Sequence, residues 1–485
     1  MEQITASSDK TETNFITRLQ ALPVCKRINT FLLSPYYFFL IGALTVLSSV
    51  FSAELAVYSI FILIGVYICF CGRDFLALIP IVICCYISPS IGNNPGKSEN
   101  SIFYGESGIY LVCIAAVFAL SLILRLCIDP EFGGKKFLRA KRKLLPGMLI
   151  LGGAYLLGGA FSGRYFDHGI GNIRFAAIQF ASIFGMYYLF TGAVNWHRAR
   201  RGYLAWTGLC VGFSLLFQLG NIYITNHVIV NGVIRRVYIY SGWGNYNGIG
   251  ALLAMMIPFA FQLATIRRRN WIYHLCALLF LLGTIFTCSR SAILVAAVTY
   301  ILSYGLLVYK DLHTKSSMVM HFVMLILILL LYLFFRDELR RLFRDLIDRG
   351  MDSSGRDEIY KAGLKQFLEF PVFGGSFYPV NYPFYESAGI EAYTSFFPAR
   401  WHNTVVQILA SCGCVGMAAY VYHRVGTVKM FCQNPSVGKV FIALSILTLL
   451  GTCLMDSHLF NVGPTLFYSM ALAFAEKADV RLDSW

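Results

Sequence analysis

Charge is what this sequence has little of. Only 13% of its 485 residues are Asp, Glu, Lys or Arg, against roughly a quarter in an ordinary soluble chain. That shortage excludes a typical soluble domain. No DxD carboxylate pair occurs anywhere, and no histidine stands at zinc-like spacing from the cysteines, so the pattern offers no metal site and no metal-borne cofactor. Residues 1–33 hold no short apolar core followed by a small-residue cleavage site, which argues against a cleavable signal peptide and for a retained first helix. No repeat of fixed period and no low-complexity segment interrupts the chain. Cysteine, by contrast, is not scarce. The fourteen cysteines fall mostly inside apolar runs, Cys69, Cys84, Cys85, Cys113, Cys210, Cys276 and Cys453 among them. There they act as small hydrophobes rather than as a disulfide framework.

What is present is hydrophobic length. Fifty-seven per cent of the residues are hydrophobic, and they gather into runs near 35–52, 55–71, 74–88, 106–127, 144–162, 172–191, 203–223, 245–264, 271–288, 290–309, 318–335, 402–420, 439–456 and 463–476. A bilayer core of about 30 Å needs around 20 apolar residues per helix. The expected fold is all-α: a polytopic transmembrane bundle of about 14 helices with one large, partly helical extracytoplasmic loop. The chain divides into a cytoplasmic tail 1–33, a bundle 34–335, the large loop 336–401, three further helices 402–476 and a short tail 477–485.

The net charge of +15 sorts by side. GKKFLRAKRK at 134–143, HRARR at 197–201 and RRR at 267–269 are basic connectors. With Lys26, Arg27, Arg73, Lys310 and Arg424 they fit one orientation, both termini cytoplasmic, under the positive-inside rule. The basicity is therefore a topology signal with anionic lipid as its partner. No basic domain stands apart from the membrane, which argues against nucleic acid.

The loop 336–401 has structure of its own. RDELRRLFRDLIDRG spaces Leu339, Leu342, Phe343, Leu346 and Ile347 along one helical stripe. This helix either lies on the membrane face or packs, solvated, on the bundle. A second helix is expected after a Ser354/Asp357 capping box. Ile359, Tyr360, Gly363, Leu364, Phe367 and Leu368 form its inner face, Pro371 ends it, and Phe373 to Ser376 make a turn.

Cationic residues from distant segments arrive at the same outer side. Arg290, in TCSRSAIL, sits between two apolar runs with almost no loop to keep it wet. An arginine at helix-centre depth costs about 2.5–3.5 kcal/mol on insertion scales. It either snorkels outwards or lines a polar cavity and binds an anion, for which its planar fork suits phosphate. Ser289 and Ser291 flank it as donors. Arg235 and Arg236 precede another helix, and the sequence leaves open which of them points inward. Arg400, Trp401, His402 and Asn403 open the helix after the loop. Trp401 fits an aromatic belt, and His402 reads either as an interfacial histidine or as a general base, since an ordinary imidazole titrates near neutrality. Asn403 either orients the ring or binds sugar hydroxyls. Asp352, Asp357, Glu358, Glu386, Glu391 and Asp456 are carboxylates on this side without an assigned role. Arg174 lies early in its own helix, away from the outer clusters.

Four stretches, over roughly residues 200–420, resemble the O-antigen ligase and O-antigen polymerase-like membrane proteins. NYNGIGALLAMMIPFAF resembles that family's Asn-containing helix start, with Tyr246 where proline is common. TCSRSAIL resembles its Ser-Arg motif. SGRDEIYKAGLKQFLEFPVFGGSF resembles its Gly-Arg helix ending in Pro-x-x-Gly, and WHNTVVQILASCGCVGM its His-Asn helix. The resemblance implies an enzyme of the bacterial cytoplasmic membrane, active on the outer side. Its donor would be a glycan on undecaprenyl diphosphate, and its acceptor lipid A core or another lipid-linked glycan. Arg290 and one of Arg235 or Arg236 would hold the diphosphate, His402 would take the acceptor proton, and Arg356 would support the loop or the glycan. A flippase for lipid-linked sugars is the alternative. Such transporters are often built from repeats around a midplane site, whereas here the ionisable groups gather at one face.

Overall fold

The computed structural model describes residues 15–73, 75–88, 105–129, 133–163, 165–166, 170–196, 202–230, 233–266, 271–311, 315–334, 336–337, 340, 356–378 and 401–477. The described residues are mainly helical. In order, the helices are α1 (Phe15–Ala21), α2 (Pro23–Leu32), α3 (Pro35–Phe51), α4 (Glu54–Cys71), α5 (Leu78–Ile87), α6 (Gly105–Ile128), α7 (Gly134–Arg139), α8 (Leu145–Leu156) and α9 (Gly171–Ala193, with a π-helical turn at Ala181–Gly185). They continue as α10 (Tyr203–Thr225), α11 (Tyr246–Ile266), α12 (Trp271–Phe286), α13 (Arg290–Asp311), α14 (Lys315–Phe334), α15 (Arg356–Glu369), α16 (Thr404–Cys432), α17 (Val437–Thr452) and α18 (Val462–Lys477). The strands are two-residue pairs in the connector before α11: β1 (Ile229–Val230) with β2 (Val233–Ile234), and β3 (Tyr240–Ser241) with β4 (Gly244–Asn245).

A helix occupies each of the fourteen apolar runs, but they are not fourteen equal crossings. Among the described residues, six helices are long and apolar enough to span a membrane, or seven if α2 and α3, bent by 73°, form one span. Six further apolar helices are shorter. The chain is a membrane-embedded, multi-pass helical bundle. Its centre is α11, buried from Asn247 to Ala264 despite Pro258. A helix apolar on every side belongs inside a bundle.

The bundle has two distinct ends. At one, the Glu476 carboxylate accepts from the backbone N–H groups of Lys143 and Leu144 at 2.8 and 3.3 Å and from the Tyr187 hydroxyl. Lys439 Nζ and Lys143 Nζ both donate to Gln433, at 2.6 and 3.2 Å, and Lys477 Nζ donates to the Lys141 carbonyl at 2.7 Å. These are the start of α8 and α17 and the end of α16 and α18. The basic connector 134–143 is therefore fastened to this end. The connectors 197–201 and 267–269 lie outside the described residues. The opposite end holds the start of α11, α13 and α16 and the end of α17.

The long connector is not simply a cover. The first of its two expected helices lies almost wholly outside the described residues, as do Ser354, Asp352, Glu386, Glu391 and 379–400. The second is α15, and it stops before Pro371 as the sequence predicts. The following turn re-enters the bundle. α16 breaks at Gly413, whose φ of 62° and ψ of −158° no side chain tolerates well. The turn fills that break: Cys414 and Val415 donate to the carbonyls of Pro371 and Val372 at 2.8 and 3.1 Å, and Gly375 donates to Ala410 at 2.8 Å. Non-helical backbone is tolerated within a membrane protein only where such partners exist. A Cβ on Gly413 would meet the Val372 carbonyl oxygen at 2.4 Å and the Gly374 nitrogen at 2.6 Å. Gly413→Ala is therefore expected to cost about 1–3 kcal/mol from backbone strain alone, read as a lower melting temperature in detergent. An unchanged melting temperature would mean that the turn leaves the break at no cost.

Candidate functional site

The end of the bundle opposite the basic connector brings four sequence-distant segments together through one polar chain. Its first member is His402. The residue has a φ of +48°, unusual for a side chain with a Cβ, and its neighbours hold it there. The Trp401 N–H donates to Gln407 Oε1 at 3.1 Å, the Tyr360 hydroxyl donates to the His402 carbonyl at 3.2 Å, and the Thr404 N–H donates to the Cys453 carbonyl at 3.0 Å. Asn403 is the N-cap of α16: its Oδ1 accepts from Val405 and Val406 at 2.8 and 3.2 Å, and its Nδ2 donates to the Leu454 carbonyl at 2.9 Å. Both polar atoms of Asn403 are thus engaged in fixing the helix start.

His402 Nδ1 lies 3.3 Å from Asp456 Oδ1, with the two side chains 16% and 7% exposed. The carboxylate faces Nδ1 and so orients the ring with Nε2 on the side away from it. Asp456, between α17 and α18, accepts from the Ser457 N–H at 2.7 Å and from Asn247 Nδ2 at 3.2 Å. Burial alone would raise its carboxyl. The imidazoles of His458 and His402 and the Ser457 N–H outweigh that and hold it below the usual carboxylate range. Asn247, on the first turn of α11, accepts in turn from Ser289 Oγ at 2.8 Å.

Ser289 ends the sharp turn between α12 and α13, where Cys288 has a φ of 56°. The turn lies close against α11. A Cβ on Gly250 would come within 2.8 Å of Thr287 Oγ1 and 2.9 Å of the Ala292 Cβ, so only glycine allows this approach. Arg290 follows as the first residue of α13, half-buried. The chain His402–Asp456–Asn247–Ser289 therefore runs to the residue next to Arg290.

The connector before α11 separates the two remaining arginines. The Arg236 guanidinium carbon lies 5.4 Å from the centroid of the Tyr246 ring, a cation–π distance, and Tyr246 adjoins Asn247. Arg236 is half-buried and Arg235 exposed. Arg356 is the first residue of α15 and half-buried. It acts on Tyr360, whose hydroxyl burial pushes up, Arg356 draws down, and Asp456 pushes up. Arg400 lies outside the described residues. Arg174 sits near the start of α9 and touches Tyr378, which follows the re-entrant turn.

Trp401 corrects an expectation. It is not part of an aromatic belt. It is buried, with Ile359, Ala362 and Ala410, between α15 and α16, and a Cβ on Gly363 would lie 2.8 Å from its ring. The tryptophan is the peg that seats α15 beside His402. From the sequence, Asn247, Asp456 and His458 carry no role, and Tyr360 only a place on the inner face of its helix. DSH at 456–458, directly after an apolar run, was the available signal.

Residues 275–421 match the family model described as O-Antigen ligase. The match contains Ser289, Arg290, Arg356 and His402, while Asn247 and Asp456, which join them in space, lie outside it. Among curated proteins the chain has no match. Over 275–421 the chain thus carries a domain similar to the O-antigen ligase family, which supports an enzyme type found in surface polysaccharide biosynthesis.

Proposed function

We propose that the protein transfers a glycan from undecaprenyl diphosphate to an acceptor sugar hydroxyl at the outer face of the bacterial cytoplasmic membrane, with inversion and without a metal ion. The reading rests on one observation: His402 is joined through Asp456 and Asn247 to the Ser289–Arg290 turn at the end of the bundle opposite the basic connector. The positive-inside rule puts that basic end in the cytoplasm, and so the site outside.

The acceptor hydroxyl gives its proton to His402 Nε2 as its oxygen attacks the sugar C1 in line. The bond from C1 to the diphosphate breaks, and the electron pair leaves with the lipid diphosphate. Arg290 and Arg236 stabilise the charge that develops there, in the role a divalent ion fills elsewhere. Asp456 keeps the imidazole aimed, and Asn403 acts by positioning rather than by touching sugar. Arg356, at the start of α15 beside Tyr360, would support the glycan or the connector, and Arg400, two residues before His402 in sequence, would bind the glycan.

Purified protein incubated with lipid-linked oligosaccharide and candidate acceptors tests this directly. Longer lipid-linked chains indicate a polymerase, and glycan on a different acceptor a ligase. No transfer under any donor and acceptor pair would remove the proposal. Arg290→Lys is expected to slow transfer by roughly 10–100-fold, since a charge-assisted two-pronged contact is worth about 1.5–3 kcal/mol and lysine makes no such fork. Full activity in that variant would mean that charge alone suffices.

A further inference from the structure

On the flank of the bundle, α3 and α10 cross at Gly42, where an added Cβ would lie 3.4 Å from Cys210 Sγ. An apolar groove with a volume of about 500 Å³ opens along this crossing. Phe38, Gly42, Ala43, Leu47, Trp206 and Phe217 line it. One end is closed by the rings of Phe38 and Trp206, stacked at 6.2 Å with 22° between their planes. That end is near the start of both helices. From Phe38 to Leu47 the groove follows nine residue steps of α3, about 14 Å at 1.5 Å each, near half the roughly 30 Å of bilayer hydrocarbon.

The other end meets the candidate site. Gln218, next to Phe217, donates to Ser49 Oγ and the Ile87 carbonyl at 3.2 and 3.1 Å and accepts from Trp243 Nε1 at 2.9 Å. Trp243 is in the β3–β4 turn, three residues before Tyr246, on which Arg236 lies. A hydrocarbon chain resting in the groove therefore emerges beside the hairpin that leads to the cationic face.

We propose that this groove seats the isoprenoid chain of the lipid-diphosphate donor, an assignment that rests on the transfer reading above. What favours the donor's own chain over a bulk phospholipid is where the groove ends. A chain lying there presents its diphosphate to Arg236 and the α13 start, whereas a phospholipid would set its headgroup against the same arginines and compete with substrate. Ala43 is exposed, so a larger side chain there narrows the groove without entering the core.

The test uses full-length protein in detergent micelles, with Ala43→Trp and Leu47→Trp as independent variants. Each is expected to raise KM about tenfold for a long-chain polyprenyl donor, the worth of roughly two buried methylene groups. Neither should change KM for the same glycan on geranyl diphosphate, too short to fill the groove, and kcat should hold for both donors. A photoreactive polyprenyl diphosphate without glycan should label residues 38–47 and 206–217 in the wild type and not in Ala43→Trp. Equal effects on both donors, or none on either, overturn the groove assignment while transfer itself stands. Groove labelling without any turnover upholds the groove and sinks the transfer reading instead. Labelling displaced by phosphatidylglycerol as readily as by the polyprenyl diphosphate assigns the groove to bulk lipid and overturns the proposal.

Discussion

Replacing His402 by alanine is expected to lower turnover by about 10²–10⁴-fold, the usual worth of a positioned general base, with the protein still folded. The fold should survive because the backbone at 402 is held from outside its own side chain. Trp401 is packed under α15, Asn403 caps α16, and Tyr360 and Cys453 bond the backbone on either side. The positive φ of 48° is the one local difficulty. Asparagine visits that region more readily than most residues, so His402→Asn serves as the second variant. It should melt like the wild type and lose the same turnover. Transfer measured with lipid-linked oligosaccharide, beside a melting curve, separates the outcomes. Near-normal product from either variant would falsify the assignment of His402 as the base. Lost product from an unfolded protein would leave His402→Asn to decide the matter.

The helices were legible because a bilayer demands apolar length, and each of the fourteen runs holds one. How many cross was not legible, because length alone does not distinguish a span from a short helix wedged against its neighbours, such as α5 or α8. The break at Gly413 was hidden as well. Apolar residues continue through ILASCGCVGM, and only the insertion of 371–376, about forty residues upstream in sequence, gives the freed backbone groups their partners. The site was half visible. Arg290 and His402 stood out because charge and imidazole are costly next to hydrophobic runs. Asp456 and Asn247 did not, because their bond joins residues 209 apart in sequence. Its residue type offers Asn403 as a ring-orienting or sugar-binding group, although an Asn immediately before an apolar run is an N-cap signal, and the cap is where the structure uses it.

Asp456→Asn is expected to reduce kcat by about 10²–10⁴-fold, the scale of losing the carboxylate that orients a catalytic imidazole, while leaving KM nearly unchanged. The split follows from position, since Asp456 acts through His402 and Asn247 and reaches no substrate in the proposed mechanism. An effect on KM alone would instead give Asp456 a part in binding. The same variant carries a stability signature. The folded carboxyl is held below its ordinary value, so the unfolded chain binds its proton first as the pH falls. The stabilisation from this group is then fully present above about pH 4, the ordinary aspartate value, and is lost progressively below it. Wild-type melting temperature should drop on acidification below that point, and Asp456→Asn, having no proton to take up there, should show a shallower drop from a lower starting value. A merely structural carboxylate would give the acid signature without the loss of kcat. The two together are what an orienting role requires, because the charge that keeps the imidazole aimed is the charge that acid removes.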